Sequence, residues 1–338
     1  MSGLKCFGFA HMPASDKGDD FVIGVDLGGT KILAGIFQSP EHLIAKTKVS
    51  TKPGRGAKAV VERLARAIRE AADEADVPWK RVRAVGLGAP GAVDRTTGLV
   101  LHAPNLEWRE VALKAELERI LDLPVFVEND GDLAMLGVHV IEMQSRPRHA
   151  VGVFIGTGIG GGLVLEGQLY HGFSHTAGEV GHMVLEVNGP KCACGKQGCF
   201  EALASRRAIV ERLKGAVKSG ESFALAEQIG SNFDDVRSGD LRKAIRRGDE
   251  FVQRIVEEAA RYTGVAVANL VNLLNPELVV LGGGMIEALE DEVFGIIVKV
   301  AREQFLAGTS TKVEIVASKL GDLAGITGGA VLARQMTK

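Results

Sequence analysis

The sequence predicts an α/β protein built from two related domains, and three observations carry that prediction. Its 43 glycines are clustered rather than dispersed. Several of the clusters directly follow apolar runs that read as strands. The succession of strand, glycine turn and strand also occurs twice, about 130 residues apart, as expected of a duplicated unit.

Taken in order, residues 1–20 form a polar leader without periodicity. FVIGVD, beginning at Phe21, reads as a strand, GGT as a turn and KILAGIF as a second strand, together a glycine-tipped hairpin. Segment 57–75 places Val60, Val61, Leu64, Ile68 and Ala71 at helical spacing, which predicts an amphipathic helix. RVRAVGLGAPG (81–91) is a strand running into a tight turn. Leu113, Leu117, Ile120 and Leu121 mark a second helix, Pro124 opens the strand PVFVEND, and a helix follows from Gly131. The second glycine hairpin covers 149–167. A long helix over 250–274 carries Phe251, Ile255, Ala259, Ala266, Leu270 and Leu273 along one stripe. A strand within 276–285 leads into a further helix. The segment from Asp322 to about Gln335 reads as a last helix that packs back on the first domain. The expected division is a leader (1–20), a smaller domain (21–131 with 322–338) and a larger domain (132–321). No low-complexity linker separates them, so the boundary near 132 is expected to be a hinge.

Composition limits the function. Hydrophobic residues at 46% and charged residues at 24% describe a globular chain, and 40 basic against 42 acidic residues leave a net charge of −2. A general nucleic-acid or anionic-membrane binder needs a basic excess. No apolar run reaches a membrane span, and the N-terminus lacks the apolar stretch of a signal peptide. The expectation is a cytoplasmic enzyme or binding protein.

Of the four cysteines, Cys192, Cys194 and Cys199 fall within eight residues. Disulfides are disfavoured without a secretory context. With His182 ten residues upstream, they make a Cys₃His set, the composition of a closed, structural zinc site. DLGGTK (26–31) and GTGIGGG (156–162) are candidate phosphate cradles: glycines let backbone N–H groups converge on an anion, threonines add hydroxyls and Lys31 a charge. Neither is a Walker A loop, and GTGIGG reads into a strand rather than the helix of a dinucleotide site. Asn129 and Asp130 end a strand, where a carboxylate can act as general base or simply as the N-cap of the next helix. Glu179 and Glu201 flank the cysteine loop, and their rigid carboxylates suit recognition of sugar hydroxyls or plain solvation.

These motifs, in order over residues 21–335, resemble the ROK family of repressors and sugar kinases. They are VDLGGTK (25–31), GAPGAVD (88–94), PNLEW (104–108), VENDGD (127–132), GTGIGGG (156–162), AGEVGH (177–182), CACGKQGCFEALAS (192–205) and VVLGGG (279–284). The resemblance implies the actin-like ATPase (ribonuclease H-like) fold, two α/β domains with the active site between them. It implies ATP-dependent transfer of the γ-phosphoryl group to a hexose 6-hydroxyl, glucose above all, with Asp130 as catalytic base. The implied sugar contacts are Gly91, Asn105, Asn129, Asp130, Glu179, His182 and Glu201. Gly28, Gly29, Thr30, Lys31, Gly156, Thr157, Gly158, Gly282, Gly283 and Gly284 would hold ATP, with Mg²⁺ indirectly near Asp26. Zinc would take His182, Cys192, Cys194 and Cys199, and a homodimer is expected. The family commonly reads NDANAAALGE where this chain has NDGDLAMLGV, so Gly131, Asp132 and Val138 are departures. N-acetylmannosamine, N-acetylglucosamine and fructose kinases share these motifs. A sugar-responsive repressor is the alternative of another class, expected to need an N-terminal helix-turn-helix for which the 25 residues before Asp26 leave little room. A non-catalytic sugar sensor is the third, which the presence of Asp130 disfavours.

Overall fold

Both glycine hairpins and the strands around them are present, and the two sheets they open share one topology. The computed structural model describes residues 20–230, 232–308 and 312–337, so nearly all of the expected leader lies outside the described residues. Strands β1 (Phe21–Leu27), β2 (Lys31–Ser39) and β3 (His42–Ser50) come first, followed by helix α1 (Ala57–Asp73) and strands β4 (Val82–Ala89), β5 (Ala92–Asp94), β6 (Leu99–Ala103) and β7 (Trp108–Val111). Helix α2 (Leu113–Leu121), strand β8 (Val125–Asn129) and helix α3 (Asp130–Gly137) complete this stretch. The first sheet has the order β3-β2-β1-β4-β8, with β1, β4 and β8 mutually parallel. Strands β5, β6 and β7 form a separate three-stranded sheet.

The second sheet uses β9 (Ala150–Ile155), β10 (Ile159–Leu165), β11 (Gln168–Leu169), β12 (Leu278–Gly282) and β13 (Glu314–Ala317). Its order, β11-β10-β9-β12-β13, matches the first sheet strand for strand, and β9, β12 and β13 are again parallel. The helices beside it are α4 (Phe200–Ala204), α5 (Arg206–Lys218), α6 (Ala224–Ile229), α7 (Ser238–Arg246), α8 (Glu250–Leu274) and α9 (Gly284–Glu303). The chain ends on α10 (Ala324–Met336). Among the described residues no helix is long and apolar enough to cross a membrane.

Two compact units result. Of the described residues, one comprises those up to 149, 163–177 and those from 325 on, the other 150–162 and those within 178–324. The first therefore runs to His149, past the boundary expected near 132, because α3 and the π-helical turn Val138–Glu142 stay with it. Its core is the apolar stripe of α1 against the sheet: Val60, Leu64 and Ile68 are fully buried, with Leu27, Ile32 and Ile36. α10 belongs to this unit. It lies so close to β1 and β4 that a Cβ on Gly329 would fall 2.5 Å from the Gly86 carbonyl oxygen and 2.8 Å from Gly24 Cα. Arg334 then closes the end of the helix, donating to the Asp20 and Gln38 carbonyls at 2.5 Å each.

In the second unit α8 buries Ile255, Ala259, Ala266 and Leu270 as its spacing predicts. Phe251 is half-buried and stacks on Phe223, ring centroids 4.8 Å apart. Leu273 departs from the expected stripe. It is 77% exposed, because the buried stretch ends at Val271 and the last turn runs past its packing partners.

Candidate active site

In the first unit the strand end at β8 and the head of α3 gather three of the expected residues, Gly91, Asn129 and Asp130. The Asn129 side chain accepts from the Gly131 and Asp132 amides (2.8 and 3.2 Å), so Asn129, not Asp130, is the N-cap of α3. Its Nδ2 donates to the Gly91 carbonyl at 3.0 Å. Gly91 takes φ 84°, and a Cβ there would collide with the His102 carbonyl, so only glycine can present its carbonyl to Asn129. Asp130 is half-buried, with Oδ1 accepting from the Gly131 amide at 2.9 Å, and Gly88 of β4 passes close to its Cα. Asn105 sits on the 3₁₀ turn Pro104–Leu106, against Gly29 of the first glycine loop. That loop is pinned by Gly28 N to Lys31 O (2.8 Å) and by the Thr51 hydroxyl donating to Gly28 O (2.7 Å). Asp26 is half-buried at the end of β1, with Gly325 of α10 packed on its side chain.

Beside Asp130 lies a cluster that sequence reasoning missed. Glu128, 4% exposed, accepts from His171 Nε2 at 3.0 Å and from the Asn129 amide at 3.1 Å, and pairs with Arg95 Nε at 3.3 Å. Arg95 Nη1 meets His171 Nδ1 at 3.1 Å. A guanidinium only donates, so Nδ1 accepts and the His171 proton is on Nε2, directed at Glu128. Burial pushes the Glu128 carboxyl up, but the His171 hydrogen bond, Arg95 and the Asn129 amide together hold it below the usual range. Asp132 is 2% exposed, and one ligand atom each of Glu128, Asp132 and His171 falls within 4.8 Å of the others. Glu128, His171 and Arg95 thus form a hydrogen-bonded ion cluster, with Asp132 beside it. A glutamate inside an apolar strand was the available signal in the sequence; nothing marked His171 or Arg95.

In the second unit, one ligand atom each of His182, Cys192, Cys194 and Cys199 falls within 4.8 Å of the others. Cys194 and Cys199 sulfurs are 3.7 Å apart, and Cys192 Sγ is 3.8 Å from His182 Nδ1. Zinc–sulfur bonds of about 2.3 Å in a tetrahedron place two sulfurs about 3.8 Å apart, so the set fits zinc. Burial pushes the Cys192 thiol up to about 12, and a thiolate there needs a cation beside it. His182 turns Nδ1 to the sulfurs and Nε2 toward Glu179, 4.0 Å away. Burial raises the Glu179 carboxyl, His182 lowers it and the nearby Glu201 charge raises it further. Glu179 keeps 40% of its side chain accessible, so this upward push is partial. Glu201 ties the cysteine loop to the second glycine loop, accepting from the Ile159 amide at 2.9 Å, with Cys192 Sγ 3.9 Å from its other oxygen.

Gly156, Thr157 and Gly158 form the turn between β9 and β10, as expected. Gly282 ends β12, and Gly283, at φ 86°, caps α9, whose first residue is Gly284. A Cβ on Gly283 would lie 2.5 Å from the Ile155 carbonyl oxygen, so this turn crosses the end of β9 at backbone contact. Of the expected sugar residues, Gly91, Asn105, Asn129 and Asp130 belong to the first unit and Glu179, His182 and Glu201 to the second.

The ROK family model matches residues 22–336. A glucokinase from Thermotoga maritima is 35% identical over 315 residues, 93% of this chain and 97% of that protein. The crystal structure of a ROK family glucokinase from Streptomyces griseus, in complex with glucose and AMPPNP, superposes with a TM-score of 0.82. It is 33% identical and covers 93% of this chain and 99% of its own. A putative xylose repressor from Caldicellulosiruptor is 32% identical over 267 residues, 79% of this chain and 66% of the repressor. The solved glucokinase carries the actin-like ATPase fold, and the paired sheets of this chain are that fold.

Proposed function

Because the chain belongs to the ROK family, we propose that it is an ATP-dependent glucokinase, transferring the γ-phosphoryl group of ATP to the 6-hydroxyl of glucose. The observation that carries this reading is the head of α3. There Asn129 makes the helix cap, so the helix does not depend on the Asp130 carboxylate for that role. Asp130 accepts the proton of the 6-hydroxyl while that oxygen bonds to the γ-phosphorus; the bond to the ADP oxygen breaks and its electrons leave with ADP. Gly91, Asn105, Asn129, Glu179, His182 and Glu201 are the residues we assign to the sugar. Asn129 links the two tasks, since its amide reaches Gly91 while its oxygen holds the helix that carries the base.

The loops at Gly28–Lys31 and Gly156–Gly158, with Gly282–Gly284, are assigned to ATP, and Asp26 to the water shell of its Mg²⁺. Bound zinc would supply a fixed tetrahedral anchor with no open position, and no catalytic step passes through it. What it fixes is His182, and through the short loop Glu179 and Glu201. A cytoplasmic homodimer completes the reading, two-fold dimers being the commonest oligomers.

The test is ADP release with Mg-ATP over a panel of hexoses and N-acetylhexosamines, with Asp130→Asn beside the wild type. We expect turnover on glucose, reduced roughly 10²- to 10⁴-fold in the variant, the range of a lost general base. Turnover on an N-acetyl sugar alone moves the substrate and keeps the base. Sugar binding without turnover on any of them would make the protein a sensor and end the kinase reading.

A further inference from the structure

The turn between β9 and β10 is held by its carbonyls and its ends, which leaves its central amides open. Gly156 N donates to Gly158 O at 2.8 Å and Ile159 N to Glu201. Among the described residues, Thr157 N and Gly158 N have no protein acceptor. The first turn of α5 grips the other side of the loop: Arg206 N donates to Gly156 O (3.0 Å) and Arg207 N to Thr157 O (3.3 Å). The Arg206 side chain folds over the same loop, Nη2 donating to Thr157 Oγ1 at 2.5 Å. Since arginine cannot accept, the Thr157 oxygen is the acceptor here and its own proton is directed elsewhere.

The charge around this guanidinium is unusual. Arg206 and Arg207 are the first two residues of a 13-residue helix with no acidic residue in its first turn. The positive end of a helix favours carboxylates, so two arginines there break a local rule. Arg206 is half-buried, and among the described residues no carboxylate comes within 4.0 Å of it. Burial and the Arg237 charge push its pKa down, with only Asp322 acting the other way. A half-buried cation without a counter-ion is costly, and an anion bound at the loop offsets that cost.

We propose that Arg206 is a phosphate-binding residue: its guanidinium, the Thr157 hydroxyl and the Thr157 and Gly158 amides together hold phosphate oxygens of the nucleotide. The identity of the anion rests on the kinase reading above. The geometry of the loop and the unpaired guanidinium do not depend on which sugar is phosphorylated.

Binding of Mg-ADP, adenosine and glucose 6-phosphate to the wild type, Arg206→Gln and Arg206→Lys tests this directly by titration calorimetry. We expect Arg206→Gln to weaken Mg-ADP about 10- to 100-fold, the scale of a charged hydrogen bond. Adenosine should change less than about twofold, because it carries no phosphate, and Arg206→Lys should recover part of the loss by keeping the charge. In turnover, KM for ATP should rise by a similar factor, with KM for glucose at saturating ATP nearly unchanged. Equal losses for adenosine and Mg-ADP would reduce Arg206 to holding the loop, and so would a lysine variant as weak as the glutamine one. Unchanged Mg-ADP affinity in Arg206→Gln, absence of Mg-ADP binding by the wild type, or a loss confined to glucose 6-phosphate would each overturn the proposal. A wild type that binds Mg-ADP but phosphorylates no hexose defeats the kinase reading alone, since the calorimetric comparison needs no sugar.

Discussion

Glu128 stands one residue from the proposed base, and its environment decides its charge. Burial alone would raise its pKa; the proton donated by His171, the Arg95 charge and the Asn129 amide outweigh burial and lower it. A depressed carboxylate stabilises the fold fully above its unfolded value, here the ordinary 4.5 of glutamate, and loses that contribution as pH falls toward the folded value. Glu128→Gln keeps the shape and removes the charge. We expect it to be less stable than wild type by about 2 kcal/mol near neutral pH, the scale of hydrogen bonds to a charged group. The gap in urea midpoints should stay constant down to about pH 5 and narrow below it. A gap that is flat across that range, or that widens on acidification, would show that the ionised form is not the one the cluster stabilises. Little of this cluster was legible beforehand. VENDGD displays Glu128 and Asp132, but the partners His171 and Arg95 lie 43 and 33 positions away from Glu128 and carry no motif. Asp132, a departure from the family pattern, has Glu128 and His171 as near neighbours in the fold.

The loop from His182 to Cys199 has no strand or α-helix of its own, only a 3₁₀ turn at Val180–His182 and isolated bridges such as Val184 to Cys199. Backbone bonds such as Leu185 N to Gly198 O and Cys192 N to Lys196 O shape its turns, and four candidate zinc ligands would pin those turns together. The spacing of those ligands was readable because metal coordination is a local constraint that the sequence must satisfy within a few residues. The Glu201 bond to Ile159 was not, because it joins elements 42 residues apart. We expect one zinc per chain by elemental analysis of the purified protein. Cys194→Ser or a strong chelator should lower the melting temperature and raise KM for glucose at least tenfold, the scale of a lost ligand shell. Cys6→Ser, outside the set, should leave both unchanged. Protein without stoichiometric zinc, together with a Cys194→Ser variant that melts and binds sugar like wild type, would leave the loop without the proposed anchor.

The whole chain crosses between its two units four times, at 149/150, 162/163, 177/178 and 324/325. The twin hairpins revealed the duplication because a glycine turn between two apolar runs is a short-range pattern. Nothing in the composition marks where α3 and its π-helical extension belong, and contacts group both with the first unit, up to His149. The consequence for stability lies in α10, which completes the first unit from the far end of the sequence. Its Ile326, Ala330 and Ala333 are fully buried, and Gly329 is in backbone contact with Gly24 and Gly86. Sheet and helix approach this closely only where side chains are absent, so one methyl group at Gly329 must push the helix away from β1 and β4. The chain's two tryptophans, Trp79 and Trp108, both lie in the first unit, so their fluorescence follows the unfolding of that unit specifically. Gly329→Ala should lower the urea midpoint of the tryptophan transition by the equivalent of about 3 kcal/mol, the upper range for an overpacked core. Gly215→Ala, on α5 in the second unit with open space around its Cβ, should leave that transition in place. If Gly329→Ala unfolds at the wild-type midpoint, the terminal helix does not close the first unit, and the return of the chain to its starting domain contributes nothing to holding the proposed base in position.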